Sequence, residues 1–261
     1  MSHRLKLVIA YFGQPFHGWQ RQRDQRSVQG EVEQALERFT GGRPLTIHGA
    51  GRTDSGVHAV GQVAHVDLPS PVPADALKRA LNKSLPPEIR VRRAVEVGPT
   101  FHARMSALGK RYVYRARWWA SDLPWLNFRV ATIKKIERPD ALIAASRLFI
   151  GRHDWASFTV PNPKRDQTFR RLYRVDLRWG PAGLDVACVG DGFLRYQVRR
   201  MVGLLLEIGS GKRDPGEVSA LLDDPQPGTH IKTAPAAGLC LEKVYYRNAP
   251  ALKFTRPECP K

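Results

Sequence analysis

What most constrains the fold is a rhythm: β-prone runs alternate with amphipathic helical stretches, and the pattern is played through twice. Arg4 to Phe12 (RLKLVIAYF) alternates and is rich in branched and aromatic side chains, which marks a strand. Ser27 then caps a helix whose Val28, Val32, Ala35, Leu36 and Phe39 share one face, and Gly41-Gly42 ends it. Gly61 to Leu68 (GQVAHVDL) alternates as a strand, Pro73-Ala74-Asp75 opens a helix through about Ser84, and Arg90 to Val97 is a further strand. The second half repeats the theme. Gly109 to Trp119 is strongly β-prone, and Pro139 to Phe149 is an amphipathic helix. Arg170 to Trp179 and Leu184 to Val189 flank Gly180-Pro181-Ala182-Gly183, a hairpin turn. Arg195 to Ile208 carries the best apolar stripe in the chain (Val198, Met201, Val202, Leu205, Ile208). A short helix from Asp214-Pro215 to Leu222 and a strand from Leu239 to Tyr246 complete the series.

Strands and helices of this kind each have one apolar face to bury, which suits helices laid on antiparallel sheets. The expected class is α+β: two ferredoxin-like or RRM-like halves whose antiparallel sheets join into one larger sheet, with a catalytic cleft between them. Residues 1–105 form the first half and 106–247 the second, and 248–261, with three prolines, read as a flexible tail.

Charge narrows the partner. The chain carries 42 Lys and Arg against 24 Asp and Glu, a net +18. The excess is not confined to a tail: residues 1–107 hold 15 basic and 9 acidic side chains, the remainder 27 and 15. A fold this basic repels itself unless a polyanion is its usual partner, and a phosphate backbone is the commonest. No run of about 18 apolar residues suggests a membrane span. The opening Met1-Ser2-His3-Arg4-Leu5-Lys6 lacks a signal-peptide pattern. Cys188, Cys240 and Cys259 are scattered without a CxxC pair, which fits a reducing cytoplasm and neither a disulfide framework nor a zinc knuckle.

The chemistry concentrates between the first helix and GQVAHVDL. His48-Gly49-Ala50-Gly51-Arg52-Thr53-Asp54-Ser55-Gly56-Val57-His58-Ala59 places three glycines in eight residues, backbone that turns sharply or admits close approach. A loop held at a sheet edge is a good place to present one carboxylate, Asp54, with Arg52 two residues before it. A dinucleotide fingerprint fails here, because its third glycine would stand where Asp54 is, and there is no GxxxxGK[ST] loop. His48 and His58 have no carboxylate or cysteine at ligand spacing, so they read as solvated or hydrogen-bonded histidines.

GAGRTDSGVHAVGQVAHVD resembles the signature of the TruA-type tRNA pseudouridine synthases. Phe101-His102-Ala103-Arg104 with Ser106-Ala107 resembles the family's F-x-A-R-x-x-A segment, and Lys110-Arg111-Tyr112-Val113-Tyr114 its [KR]-x-Y-x-Y strand. Phe193 to Gly203 (FLRYQVRRMVG) resembles its F-L-x-x-M-V-R-x-x-V-G helix, with Gln197 where many members carry Met. Val28-Gln29-Gly30-Glu31 resembles the opening helix and Ala234 to Leu239 the approach to the last strand, so the blocks run in order through most of the chain.

The resemblance implies isomerisation of uridine to pseudouridine at positions 38, 39 and 40 of the tRNA anticodon stem-loop, with no cofactor and no metal. It makes Asp54 the nucleophile, attacking either the base or ribose C1′. Tyr112 would stack on the base, its hydroxyl within reach of a proton. Arg199 would partner the carboxylate, and Arg52 would assist base flipping. It also implies a homodimer that cradles tRNA. Backbone contacts are expected from Lys110, Lys164, Arg165, Arg170 and Arg171, and from Arg21 and Arg23. The rival reading is a noncatalytic RRM-like RNA-binding protein, which would carry RNP-type aromatic strings on its strands. The one dense aromatic cluster is Tyr112, Tyr114, Trp118 and Trp119, and no such string occurs.

Overall fold

In the computed structural model, which describes residues 3–118, 123–161 and 167–246, the expected rhythm becomes a series of strands and helices. In chain order these are β1 (His3–Tyr11), α1 (Val28–Phe39), β2 (His48–Gly49), β3 (His58–Leu68), α2 (Ala74–Ser84), β4 (Ile89–Glu96), β5 (Gly109–Arg117), β6 (Ala131–Thr132), α3 (Pro139–Leu148), β7 (Gly151–Asp154), β8 (Phe169–Gly180), β9 (Gly183–Gly190), α4 (Gln197–Gly209), α5 (Glu217–Asp223) and β10 (Leu239–Tyr245). Trp119, Lys164, Arg165 and the expected tail over 248–261 lie outside the described residues. Of the described residues, 3–107, 123–131 and 235–244 form one unit, and 108–118, 132–161, 167–234 and 245–246 form another.

The first unit has strand order β4-β1-β3-β10, with β2 beside β3. β1 runs antiparallel to both neighbours, Leu7 standing opposite Ala64 on one side and Ala94 on the other. β10 adds a parallel neighbour, Cys240 opposite His58 and Leu241 opposite Ala59. Parallel pairing needs a long connection, and the chain supplies one by passing through the second unit first. Leu5, Leu7, Ile9 and Tyr11 of β1 are buried, as are Val28, Val32, Ala35 and Leu36 of α1 and Leu77 and Leu81 of α2. Ser27 caps α1 as expected, its Oγ accepting the Gly30 N–H at 3.3 Å. Alternation in GQVAHVDL predicts one wet face, yet Gln62 and His65 are as buried as their apolar neighbours. Those two polar residues carry structural roles described below.

The second unit has the order β5-β9-β8-β7, antiparallel throughout. The Gly180–Gly183 turn closes the β8–β9 hairpin. The apolar stripe of α4 is fully buried, and α3 lies against it. The helix begins two residues later than its periodicity suggests. Tyr196 holds φ 63°, in the left-handed region, so no helical turn can include it. β7, β2 and β6 were not legible in advance, being two to four residues long.

Candidate active site

The loop of residues 50–57 joins β2 to β3 and is pinned from below. Ala50 N–H donates to Val63 O (2.7 Å) and Gln62 Nε2 to Gly51 O (2.9 Å). The hydroxyls of Tyr11 and Thr53 share a 2.8 Å hydrogen bond, and Trp19 N–H donates to Thr53 O at 3.2 Å. Burial pushes the Tyr11 phenol far above its usual range, so it stays a neutral hydroxyl. On the other flank Ser55 Oγ donates to Phe16 O (3.3 Å), and Val57 N–H closes a turn on Asp54 O (3.1 Å). The loop lies directly on the backbone of residues 13–18. A Cβ on Gly13 would stand 2.0 Å from Val57 O, and one on Gly18, whose φ is +90°, 2.6 Å from Thr53 O. Two glycines are therefore required for this close approach. The result is an alternation: Thr53 is buried as the anchor, Asp54 beside it is half-buried, and Arg52 is exposed. Arg52 Nε donates to Gln20 Oε1 at 3.1 Å.

In the second unit Tyr112 lies on β5 opposite Cys188 of β9. It is 6 % exposed, and its ring meets that of Phe193 at a near right angle, centres 5.2 Å apart. Tyr114, on the same face, is wholly buried, and its hydroxyl has no hydrogen-bond partner among the described residues. Burial raises its pKa strongly, and the positive charge of Arg199 opposes that shift in part. Arg199 sits in the first turn of α4. Its Nε donates to Ala234 O (2.7 Å), and its own carbonyl accepts the Ala234 N–H (3.0 Å). Two guanidinium groups lie over the Tyr196 ring, Arg195 at 4.9 Å and Arg199 at 5.1 Å from its centre. Holding a tyrosine in the left-handed region costs about 1–3 kcal/mol, so this helix start is over-determined by its surroundings.

The remaining predicted positions divide between the units. Lys110, second residue of β5, stands opposite Gly190. Arg170 Nη1 turns back onto Phe169 O (2.5 Å), while exposed Arg171 uses its backbone N–H to hold the Asp191 carboxylate at 3.1 Å. In the first unit Arg21 forms a 3.1 Å ion pair with buried Glu33, and Arg23, almost fully exposed, stands 3.7 Å from Asp24. Arg52 and Asp54 thus share one loop of the first unit; Tyr112 and Arg199 belong to the second.

Among the described residues no group of three or more His, Cys, Asp or Glu is arranged to hold a metal ion. His58 is hydrogen-bonded, its Nδ1 accepting the Gly13 N–H at 3.0 Å, and stacks on Phe12. His48 joins His65 and His102 in a ring cluster, with centres 4.7–5.8 Å apart. The His65 and His102 Nδ1 atoms accept backbone N–H groups of Ala103 and Arg104. Sequence reasoning missed Tyr11, Gln62 and the polar chain Gln20, Gln29 and Glu33. Their one signal is polarity inside an apolar period: Gln29 and Glu33 each follow a buried valine of α1.

Comparison with known proteins completes the picture. A family model described as tRNA pseudouridine synthase matches residues 7–105 and 145–247. A tRNA pseudouridine synthase A of Maridesulfovibrio salexigens is 40 % identical over 247 residues, covering 93 % of this chain and 90 % of its own. That of Syntrophotalea carbinolica is 41 % identical over 245 residues, covering 93 % and 96 %. That of Geobacillus kaustophilus is 39 % identical over 249 residues, covering 95 % and 96 %. With matches over both halves and nearly full-length relatives, the chain belongs to the tRNA pseudouridine synthase family.

Proposed function

We propose that this isomerase converts uridine to pseudouridine at positions 38, 39 and 40 of the tRNA anticodon stem-loop, with Asp54 as its nucleophilic carboxylate. The observation that carries the assignment is the pinned loop. Thr53 is locked beneath, and its two neighbours in sequence, exposed Arg52 and half-buried Asp54, stay accessible.

The reaction breaks the bond from ribose C1′ to uracil N1, turns the base and joins C1′ to C5. The C5 proton goes to solvent, and N1 takes a proton. A carboxylate that attacks either the base or C1′ must be ionised, and a covalent intermediate divides one difficult step into easier ones. Arg199 supplies the positive charge that keeps a carboxylate anionic, and its guanidinium fork suits that partner. Tyr112 packs against the flipped uracil. Flipping costs a few kcal/mol and needs a side chain to support the opened stack; Arg52, exposed and two residues from Asp54, serves that role. Lys110, Lys164, Arg165, Arg170 and Arg171 contact the tRNA backbone in a chain whose net charge is +18. The enzyme works as a cytoplasmic homodimer, which light scattering at working concentration tests directly. No helix among the described residues is long and apolar enough to cross a membrane.

The deciding experiment uses unmodified tRNA labelled with tritium at uridine C5, without cofactor and with a chelator present. Asp54→Asn, nearly isosteric, is expected to reduce tritium release by at least about 1,000-fold while tRNA affinity stays within about threefold. Release at the normal rate would remove Asp54 from the mechanism.

A further inference from the structure

Behind Arg52 runs a chain of side chains that ends in a buried carboxylate, all within the first unit. Arg52 Nε donates to Gln20 Oε1 (3.1 Å), Gln20 Nε2 donates to Gln29 Oε1 (2.7 Å), and Gln29 Nε2 donates to Glu33 Oε1 (2.9 Å). The orientation of both amides is fixed by chemistry. A guanidinium and a backbone N–H can only donate, and a carboxylate can only accept. Gln29 is held twice at each end: its Oε1 also takes the Arg21 N–H (3.0 Å), and its Nε2 also reaches Ile47 O (3.2 Å). Glu33 in turn accepts the Ile47 N–H at 3.1 Å, and Arg21 Nη1 balances its charge at 3.1 Å. Turning over either amide would break every bond it makes. The chain therefore has one polarity, cation at the loop and anion in the interior, and each bond polarises the next in the same sense.

The side chains become more enclosed along this path. Arg52 is exposed and Gln20 half-buried, while Gln29 and Glu33 are 6 % and 5 % exposed. Two buried polar side chains on the apolar side of α1 are expensive to place there unless they are partnered: both amide atoms of Gln29 are hydrogen-bonded, and Glu33 takes two hydrogen bonds on Oε1 while Oε2 has the Arg21 ion pair. A long exposed arginine otherwise samples many rotamers. The bond from its Nε to Gln20 narrows that range.

We propose that Gln20, Gln29 and Glu33 are positioning residues that act through Arg52, holding its guanidinium in the orientation used when the target base leaves the stack. The proposal rests on the role given to Arg52 in the preceding reading. Misplacing a reacting or supporting group by a fraction of a bond length reduces rates steeply.

The test is a double-mutant cycle on the full-length protein, read by single-turnover tritium release from C5-labelled tRNA. Gln20→Met, similar in length but without an acceptor, is expected to slow release about tenfold. Its tRNA affinity is expected to stay within about twofold, because no phosphate contact is removed. In an Arg52→Ala background the same change is expected to alter the rate by less than about twofold, since coupled residues are not additive. An equal tenfold loss in both backgrounds overturns the proposal, as does Gln20→Met at the parent rate. Should Arg52→Ala alone turn over normally, the assignment of Arg52 falls and takes this chain's purpose with it. That outcome leaves the Asp54 assignment standing, and Asp54→Asn judges it separately.

Discussion

Tyr11 and Thr53 meet across 42 positions of sequence, and their shared hydrogen bond sets the height of the Asp54 loop. Tyr11→Phe leaves Thr53 Oγ1 without that partner in a buried site, so it is expected to lower unfolding free energy by about 1–2 kcal/mol in urea. It should also slow isomerisation, because the loop loses its floor. Gly18→Ala tests the same contact from the other side. Its φ of +90° and the 2.6 Å approach to Thr53 O leave no room for a methyl group. A drop in melting temperature of several degrees is expected, and an unchanged melting curve would show that the loop is not seated on this segment. His65 offers a pH reading. Burial, with Arg4, His102 and His48 adding to it, lowers its pKa to about 4, while Asp67 opposes them. The unfolded chain takes up a proton near pH 6.5 that the fold resists until about 4. Stability from this group is therefore present above pH 6.5 and lost progressively as pH falls towards 4. His65→Gln keeps an acceptor for the Ala103 N–H and should flatten that decline in denaturation curves between pH 7 and pH 5. At this scale the motifs that carry Asp54, Arg52, Tyr112 and Arg199 could be picked out in advance, because each is continuous in sequence. The residues that hold the loop could not, since hydrogen bonds between distant positions leave no local pattern.

Helices were read almost to the residue where an apolar stripe and a cap agree, as in α1. Ser27→Ala should remove the bond to Gly30 N–H and destabilise the protein by about 1 kcal/mol, with hydrogen exchange rising first in the initial turn of α1. The same turn carries Gln29, so part of the isomerisation rate should go with it. The start of α4 was misplaced by two residues because periodicity cannot see a left-handed tyrosine. Short strands such as β2 and β7 exist only through their neighbours, β3 and β8, and have no period of their own. In β3 both faces are buried, polar Gln62 and His65 included. Their burial follows from bonding partners on other segments, the Gly51 carbonyl and the Ala103 amide.

For the molecule as a whole, a net charge of +18 makes binding to tRNA an ion-exchange process. Affinity is expected to fall at least about 100-fold between 50 and 200 mM salt, with a linear log–log slope. Filter binding across that range checks it, and a flat response would mean that phosphates contribute little. Which sheet the final strand would join could not be told from its sequence, since Leu239–Tyr245 is equally β-prone in either setting. It runs alongside His58 and Ala59, the first residues of β3 after the Asp54 loop. The Asp54 loop thus runs into a seam between β3 and the last of the described strands, so a protease nick that released β10 would bare that flank while leaving every residue of the loop in place.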